Sequence, residues 1–371
     1  MDKKSEQAMT CQKSLINRRS LVKGIATAGL AAPFINFLVK PARAAGTGVV
    51  NFAGYGGSFN TALREIWFDE FEKETGIKVN LGSGASLALA KLQVMNPAGA
   101  EWDIIDLTAD GYINAVKEDL LLPVDGRIDF SKILPEYVGT HGWSYVAFIY
   151  VIGWNNKLIS DADAPKHWVD VWDTKRYKGK RALYNVNGQA YSLEAALMAD
   201  GVLPKEMYPL DLNRSFASLE KLGRDNIVWG VSLQDAVQQL GSGGTPLGGT
   251  ASGRAIIARR QGADISFSLE QGIIGSDSLG VIKNSNNSKE AFQLLNFITT
   301  RGDLSAKFTE RTAYGIPHVD VESLLSPDAA DIRAALPSNP TLRKTALMTD
   351  PIYYETHMPE VITRFQEWQL K

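Results

Sequence analysis

Cysteine is nearly missing from these 371 residues, and the single one, Cys11, falls in an N-terminal stretch that reads as a removable leader. Once that stretch is gone, the chain can form no disulfide, no thiolate metal site and no cysteine nucleophile. Histidine is scarce as well: His141, His167, His318 and His357 are too scattered for a metal-binding helix of the HExxH type. No GxSxG nucleophile elbow occurs, and the glycine-rich run from Gly241 to Gly249 has no lysine where a phosphate-binding loop needs one. These absences lead to the expectation of no catalytic residue, no metal and no cofactor. A basic excess is missing too. Residues 1–44 hold eight Lys or Arg against two acids, which leaves 31 basic and 39 acidic residues beyond them, a balance near −8. Such a surface argues against nucleic acid or an anionic membrane as partner.

No long hydrophobic run spans a bilayer either. The apolar stretch from Gly24 to Val39 is short for a membrane helix and is broken by Pro33. It follows Asn17-Arg18-Arg19-Ser20-Leu21-Val22-Lys23 and precedes Ala42-Arg43-Ala44. The combination looks like a twin-arginine export signal over 1–44 with cleavage before Ala45, and it places the mature protein in a bacterial periplasm.

What remains is a soluble chain with 44% hydrophobic residues, long enough for two lobes. Val49 to Ala53 reads as a strand, Gly54-Tyr55-Gly56-Gly57-Ser58 as a glycine turn, and Phe59 to Glu74 as an amphipathic helix stopped by Gly76. Ile77 to Leu81 is the next strand, Leu87 to Met95 a helix, and Trp102 to Leu107 a third strand entering Asp110. Successive βαβ units put their loops at the carboxyl ends of parallel strands, where open α/β sheets bind ligands. The first turn, with Tyr55 and Gly57, offers free amides to a carboxylate or phosphate. It lacks the third glycine of a dinucleotide fingerprint. Asp110 either meets a ligand amine or caps its own helix. Tyr145 to Asn155 is a long β-rich run suited to crossing between lobes. Tyr191, at the start of a helix running to Asp200, either walls a cleft or packs on the core.

The most informative stretch runs from Thr250 to Ile282. Ser252 reads as an N-cap, Arg254 lies in the first helical turn, and Gly262 suits a left-handed C-terminal cap. A cation at the positive end of a helix dipole is poorly placed unless it faces an anion. Two short strands are expected next, Ile265 to Leu269 and Ser278 to Ile282, with Asp277 opening the second, where an unpaired carboxylate is costly. Two badly placed opposite charges point to a cleft that holds a zwitterion, carboxylate on Arg254 and ammonium on Asp277. The bland alternatives are an Arg254 that snorkels to solvent or pairs with Glu270, and an Asp277 that merely forms a turn. Gly241 to Gly249 reads as a flexible rim.

In this order, Phe71 to Val79, Ile152-Gly153-Trp154-Asn155, Trp172 through Tyr177-Lys178-Gly179, Asp277 to Val281, Ala291 to Phe297 and Tyr314-Gly315-Ile316-Pro317 resemble one family. It is the spermidine/putrescine-binding family among the periplasmic solute-binding proteins of ABC importers. The resemblance implies an α/β fold of two lobes, type II-like, with a ligand cleft between lobes of about 45–151 plus 281–371 and 152–280. It also implies a non-enzymatic monomer that hands a small amine or amino acid to an inner-membrane permease. Asp277 matches the family's amine-holding acid, and Tyr314 an aromatic wall. Where polyamine binders carry a pair of acids, this chain has Gly188 and Tyr191. Thr250 replaces a tryptophan, and Gly275 stands near another aromatic position. Fewer acids with Arg254 in the cleft is similar to members that bind 4-aminobutyrate. An ω-amino acid is therefore expected, with a polyamine as the alternative and a periplasmic hydrolase as the rival of another class.

Overall fold

The computed structural model describes residues 48–371 apart from 97, 187 and 188. The leader expected over 1–44 and the position of Gly188 lie outside the described residues. Strand, glycine turn and helix follow one another as the pattern predicts. β1 (Val49–Ala53) leads into a helix that starts at Gly57 and runs, through a π turn at Arg64–Phe68, to Thr75. Gly76 stops it at φ 75°, a conformation that costs glycine little. β2 (Lys78–Gly82) and β3 (Ile104–Thr108) then pair parallel with β1 on either side.

β4 (Gly142–Asn155), β5 (Arg181–Tyr184), β6 (Ile227–Gly230), β7 (Leu247–Ala251), β8 (Ile265–Val281) and β9 (Leu347–Met348) complete one sheet. Its order is β2-β1-β3-β8-β4-β7-β5-β6, with β9 on the edge of β8. β4 and β8 run antiparallel beside each other for almost their whole length, so this pair ties the two ends of the sheet together.

Three expectations give way here. The end of the glycine-rich run is no flexible rim: Leu247–Ala251 is the buried strand β7, between β4 and β5. Its glycines are needed because neighbours come too close for a side chain. A Cβ on Gly249 would lie 1.9 Å from the Tyr150 hydroxyl oxygen, and one on Gly248 2.0 Å from the Ala182 carbonyl oxygen. The two strands expected after Gly262 are one, because β4 continues alongside. The register slips between Tyr150 and Ile152, and Gln271 sits in the left-handed region at φ 54°. Ser252 is the first residue of its helix rather than its cap, since Ser252–Arg260 follows β7 directly. The glycine stop is as expected, with Gly262 at φ 93°.

Two large apolar clusters and two smaller ones pack against this sheet. The first gathers β1, part of β4 and the helices Ser288–Thr300 and Gly302–Thr312. The second gathers Tyr150, Trp154, Trp168, Leu193 and Leu219 around the helix Tyr191–Ala199. The C-terminal helix Pro351–Leu370, expected with residues 45–151, belongs to this second cluster. Its face of Tyr354, Met358, Val361, Phe365 and Trp368, spaced by four and three, is buried there. No helix among the described residues is long and apolar enough to cross a membrane.

Glu194 lies fully buried inside this second cluster. Its Oε1 accepts hydrogen bonds from the Tyr208 hydroxyl and, at 2.7 Å, from the Tyr354 hydroxyl, while Oε2 has no partner. Burial pushes the carboxyl up to about 7 against the pull of both phenols. The folded protein therefore holds this proton more tightly than the unfolded chain. The stabilisation is complete below about pH 4.5 and is lost as the pH rises through about 7. Glu194→Gln should accordingly melt above the wild type at pH 8, by about 1–3 kcal/mol of stability, with the gap closing by pH 5 in thermal denaturation. By contrast, Gly249→Ala should lower stability by about 1–3 kcal/mol at every pH, because Tyr150 is held by its own stacking and cannot yield.

Candidate ligand-binding cleft

Asp106 and Asp277 share one face of the β3–β8 pair, and Asp110, on the helix that follows β3, acts on Asp277. The β3–β8 register sets Thr108 opposite Asp277 and Asp106 opposite Leu279. Residues two apart share a face, so Asp106 and Asp277 point to the same side as diagonal neighbours, roughly 7–8 Å apart at the backbone. Asp110 follows in the first turn of the helix Ala109–Lys117, whose cap is the Thr108 hydroxyl. On β4 a bulge between Ser144 and Val146 releases Tyr145 from strict alternation. Its hydroxyl donates to Asp106 Oδ2, and Asp106 Oδ1, fully buried, has no partner.

These acids are held far from their ordinary state. Burial, then the charge of Asp110, pushes Asp277 up to about 7. Asp106 is raised by burial and by Asp277, with the Tyr145 hydrogen bond pulling the other way. Asp110 is raised by burial against its local hydrogen bonds. Asp277 keeps some accessible surface, yet protein atoms crowd its carboxyl, and no donor among the described residues reaches it.

Aromatic rings wall this acidic end. Tyr55 is 42% exposed, but its hydroxyl end is enclosed: burial raises it first, then Asp277, Asp106 and Asp110. Tyr191 stacks on Tyr150 at 5.2 Å and meets the Phe148 ring at 6.2 Å. Only 2% of it is exposed, so it both packs on the core and lines a pocket of about 30 Å³ with Asp110, Gly275 and Ser276. A Cβ on Gly275 would lie 2.3 Å from the Tyr191 hydroxyl oxygen, so the wall occupies the space a side chain would take. The wall continues from Phe148 to Tyr314 at 5.8 Å and on to Phe59 at 5.7 Å.

Arg254 stands at the far end of that wall. Its Nη1 donates to Gln234 Oε1 at 3.2 Å, and its Nε is buried without an acceptor. No carboxylate among the described residues, Glu270 included, lies within ion-pair distance of it. With Gln234, Tyr314, Phe59 and Arg311 it lines a cavity of about 300 Å³. Tyr184 and Tyr314 each feel both charges: Asp277 pushes their hydroxyls up, and Arg254 pulls them back, beneath a larger effect of burial. Gly57 begins the helix next to Tyr55, at φ 62° with open space where a Cβ would be.

The fold thus brings Tyr55, Asp110, Tyr191, Asp277, Tyr314 and Arg254 to one region. Sequence reasoning missed Asp106, Tyr145, Phe148, Phe59 and Gln234. Asp106 did carry a signal, as an acid inside the apolar strand Ile104-Ile105-Asp106-Leu107. The others act through a bulge and through ring positions that no local pattern encodes.

A gamma-aminobutyric acid-binding protein of Pseudomonas aeruginosa is 26% identical over 322 residues, covering 85% of this chain and 89% of that protein. A spermidine/putrescine-binding periplasmic protein of Escherichia coli is 24% identical over 294 residues, 76% of this chain and 82% of that one. Among solved structures, a GABA receptor superposes with a TM-score of 0.79 at 29% identity, covering 87% of this chain and 98% of the receptor. These relatives share the two-lobed fold of periplasmic binding proteins. The family model for bacterial extracellular solute-binding proteins matches residues 67–334. The chain belongs to the bacterial extracellular solute-binding protein family, and its work is capture of a solute rather than catalysis.

Proposed function

We propose that this protein is the capture component of an ABC importer, exported to the periplasm by a cleaved twin-arginine signal and working as a monomer. Two lobes close over a small zwitterionic ω-amino acid such as 4-aminobutyrate and present it to an inner-membrane permease. Asp277, with Asp110 beside it, holds the ligand ammonium. Arg254 holds the carboxylate, and Tyr55, Tyr191 and Tyr314 line the methylene chain between them. Gly57 leaves its side of the turn open to the ligand. One observation carries this reading: Arg254 and Asp277 act in opposite directions on the hydroxyls of Tyr184 and Tyr314, and no ion pair joins them. Burying two such charges is unfavourable until each meets a partner, and a zwitterion supplies both at once. The relatives named for gamma-aminobutyric acid support the choice.

A polyamine is the second reading, favoured by the three acids Asp106, Asp110 and Asp277 and opposed by the Arg254 guanidinium. A thermal-shift panel separates the two. 4-Aminobutyrate should raise the melting temperature with increasing ligand excess, whereas putrescine and spermidine should not. A response to the diamines alone would reverse the assignment. In calorimetry, Arg254→Ala and Asp277→Ala should each weaken ω-amino acid binding by about 2–5 kcal/mol, as for truncating one member of a buried charged pair. Wild-type affinity in both variants would refute the site.

A further inference from the structure

The cavity at the Arg254 end of the cleft is larger and more positive than one carboxylate needs. Two guanidiniums line it, Arg254 from the helix Ser252–Arg260 and Arg311 from the helix Gly302–Thr312, and no carboxylate does. Arg254 has only neutral partners, the Gln234 side-chain oxygen and the Tyr314 hydroxyl, and its Nε has none. Arg311 has one acid, Glu65, at 3.9 Å, with the two side chains 51% and 55% exposed. A solvated pair of that kind contributes at most about 1 kcal/mol and yields readily to a bound anion. Gln234 gives its side-chain oxygen to Arg254, so what it has left to offer the cavity is an N–H donor. The volume of about 300 Å³ equals that of roughly ten water molecules, of which a carboxylate fills a small part. 4-Aminobutyrate therefore answers half of this end: it brings one negative charge to Arg254 and leaves Arg311 without one.

We propose that the solute's anionic head carries two negative charges, met by Arg254 and Arg311 together, so that the preferred ligand is an ω-amino compound ending in a phosphonate or in a pair of carboxylates. This inference rests on the zwitterion-binding reading above and narrows it, leaving the ammonium end as that reading has it. The guanidinium fork matches either kind of oxyanion, since carboxylate and phosphate-like groups both accept two parallel N–H bonds. A dianion is costlier to take out of water than a single carboxylate, and that cost is offset only where a second cation faces it. Arg311 is thus a specificity residue: it adds little for a carboxylate held on Arg254 and much for a head that needs a second guanidinium.

The test is calorimetry on the full mature protein with 4-aminobutyrate, 3-aminopropylphosphonate and (3-aminopropyl)malonate, three probes that share the aminopropyl stem. At pH 8.5 one of the two dianions should bind at least about tenfold more tightly than 4-aminobutyrate, a difference of about 1.4 kcal/mol, and whichever does so identifies the head. In Arg311→Gln that ratio should fall below about threefold. If the phosphonate is preferred, its advantage should shrink at pH 5.5, where it keeps its second proton. An advantage equal at both pH values would mean that size rather than charge is read, and would overturn the proposal. So would a preference that survives Arg311→Gln. Equal affinities for all three probes, or tighter binding of 4-aminobutyrate, would overturn it as well and leave the ω-amino acid reading standing. Binding of none of the three would overturn both readings. Arg311 is half exposed, so the variant should fold; if it does not, the wild-type ratios decide alone.

Discussion

A desolvated carboxylate without a protein cation is the constraint on which this structure turns. Asp277 sits on a central strand, crowded by its neighbours, and its carboxyl is pushed up to about 7. Ordinary folding economics would remove it or give it an arginine. Arg254 is in the same region and is not used for that purpose. Neither group has an opposite charge within ion-pair distance among the described residues, and the proposed zwitterion would supply both at once.

Other charged residues of the same chain show that this restraint is local. Asp103, one residue before β3, is as buried as Asp106, yet it accepts from the Asn51 amide, the Ser285 hydroxyl and the Asn287 side chain. Arg181 is a fully buried cation whose guanidinium is served by the carbonyls of Val171, Gly179, Asp173 and Tyr177. Those two are structural, and every charged edge has its partner. Asp106 and Arg254 are the contrasting pair: Asp106 has Tyr145, Arg254 has Gln234 and the Tyr314 hydroxyl, and each keeps a buried polar atom bare. Partner counts thus set Asp103 and Arg181, which build the fold, apart from Asp106 and Arg254, which each keep an unserved polar atom.

Much of this was legible in the sequence because the elements concerned are locally encoded. The first βαβ unit and the glycine stop at Gly262 fall where period and punctuation place them. Arg254 and Asp277 stood out because each is costly by itself, and a local cost is visible without a structure. What stayed hidden was decided between strands. β7 looked like a loop because its glycines answer to Tyr150 and Ala182, residues far away in the chain. β8 looked like two strands because its turn signals are overridden by a partner strand running alongside. Tyr145 reaches Asp106 only through a bulge, a matter of register rather than composition. The C-terminal helix has a clear apolar face, but nothing in that face says which of the two large apolar clusters will cover it.

The separation of the two bare charges has its own mechanical cause. Tyr150 is pinned between Trp168, stacked at 5.6 Å, and Tyr191, and its hydroxyl occupies the space left by Gly249 while accepting from the Tyr184 amide at 3.2 Å. Tyr191, fixed by that stack, fills the room that any side chain at position 275 would need, and it holds Phe148 edge-on. Phe148 in turn backs Tyr314, against which the Arg254 guanidinium lies. A row of rings anchored in the core therefore stands along the cleft from the acids to the guanidinium. Without it, attraction in a low-dielectric gap would favour collapse of Arg254 onto Asp277, and the site would satisfy itself. Two glycines, one under Tyr150 and one under Tyr191, are what let that row stand where it does, so the shape of this region is set as much by missing side chains as by the charges beside it.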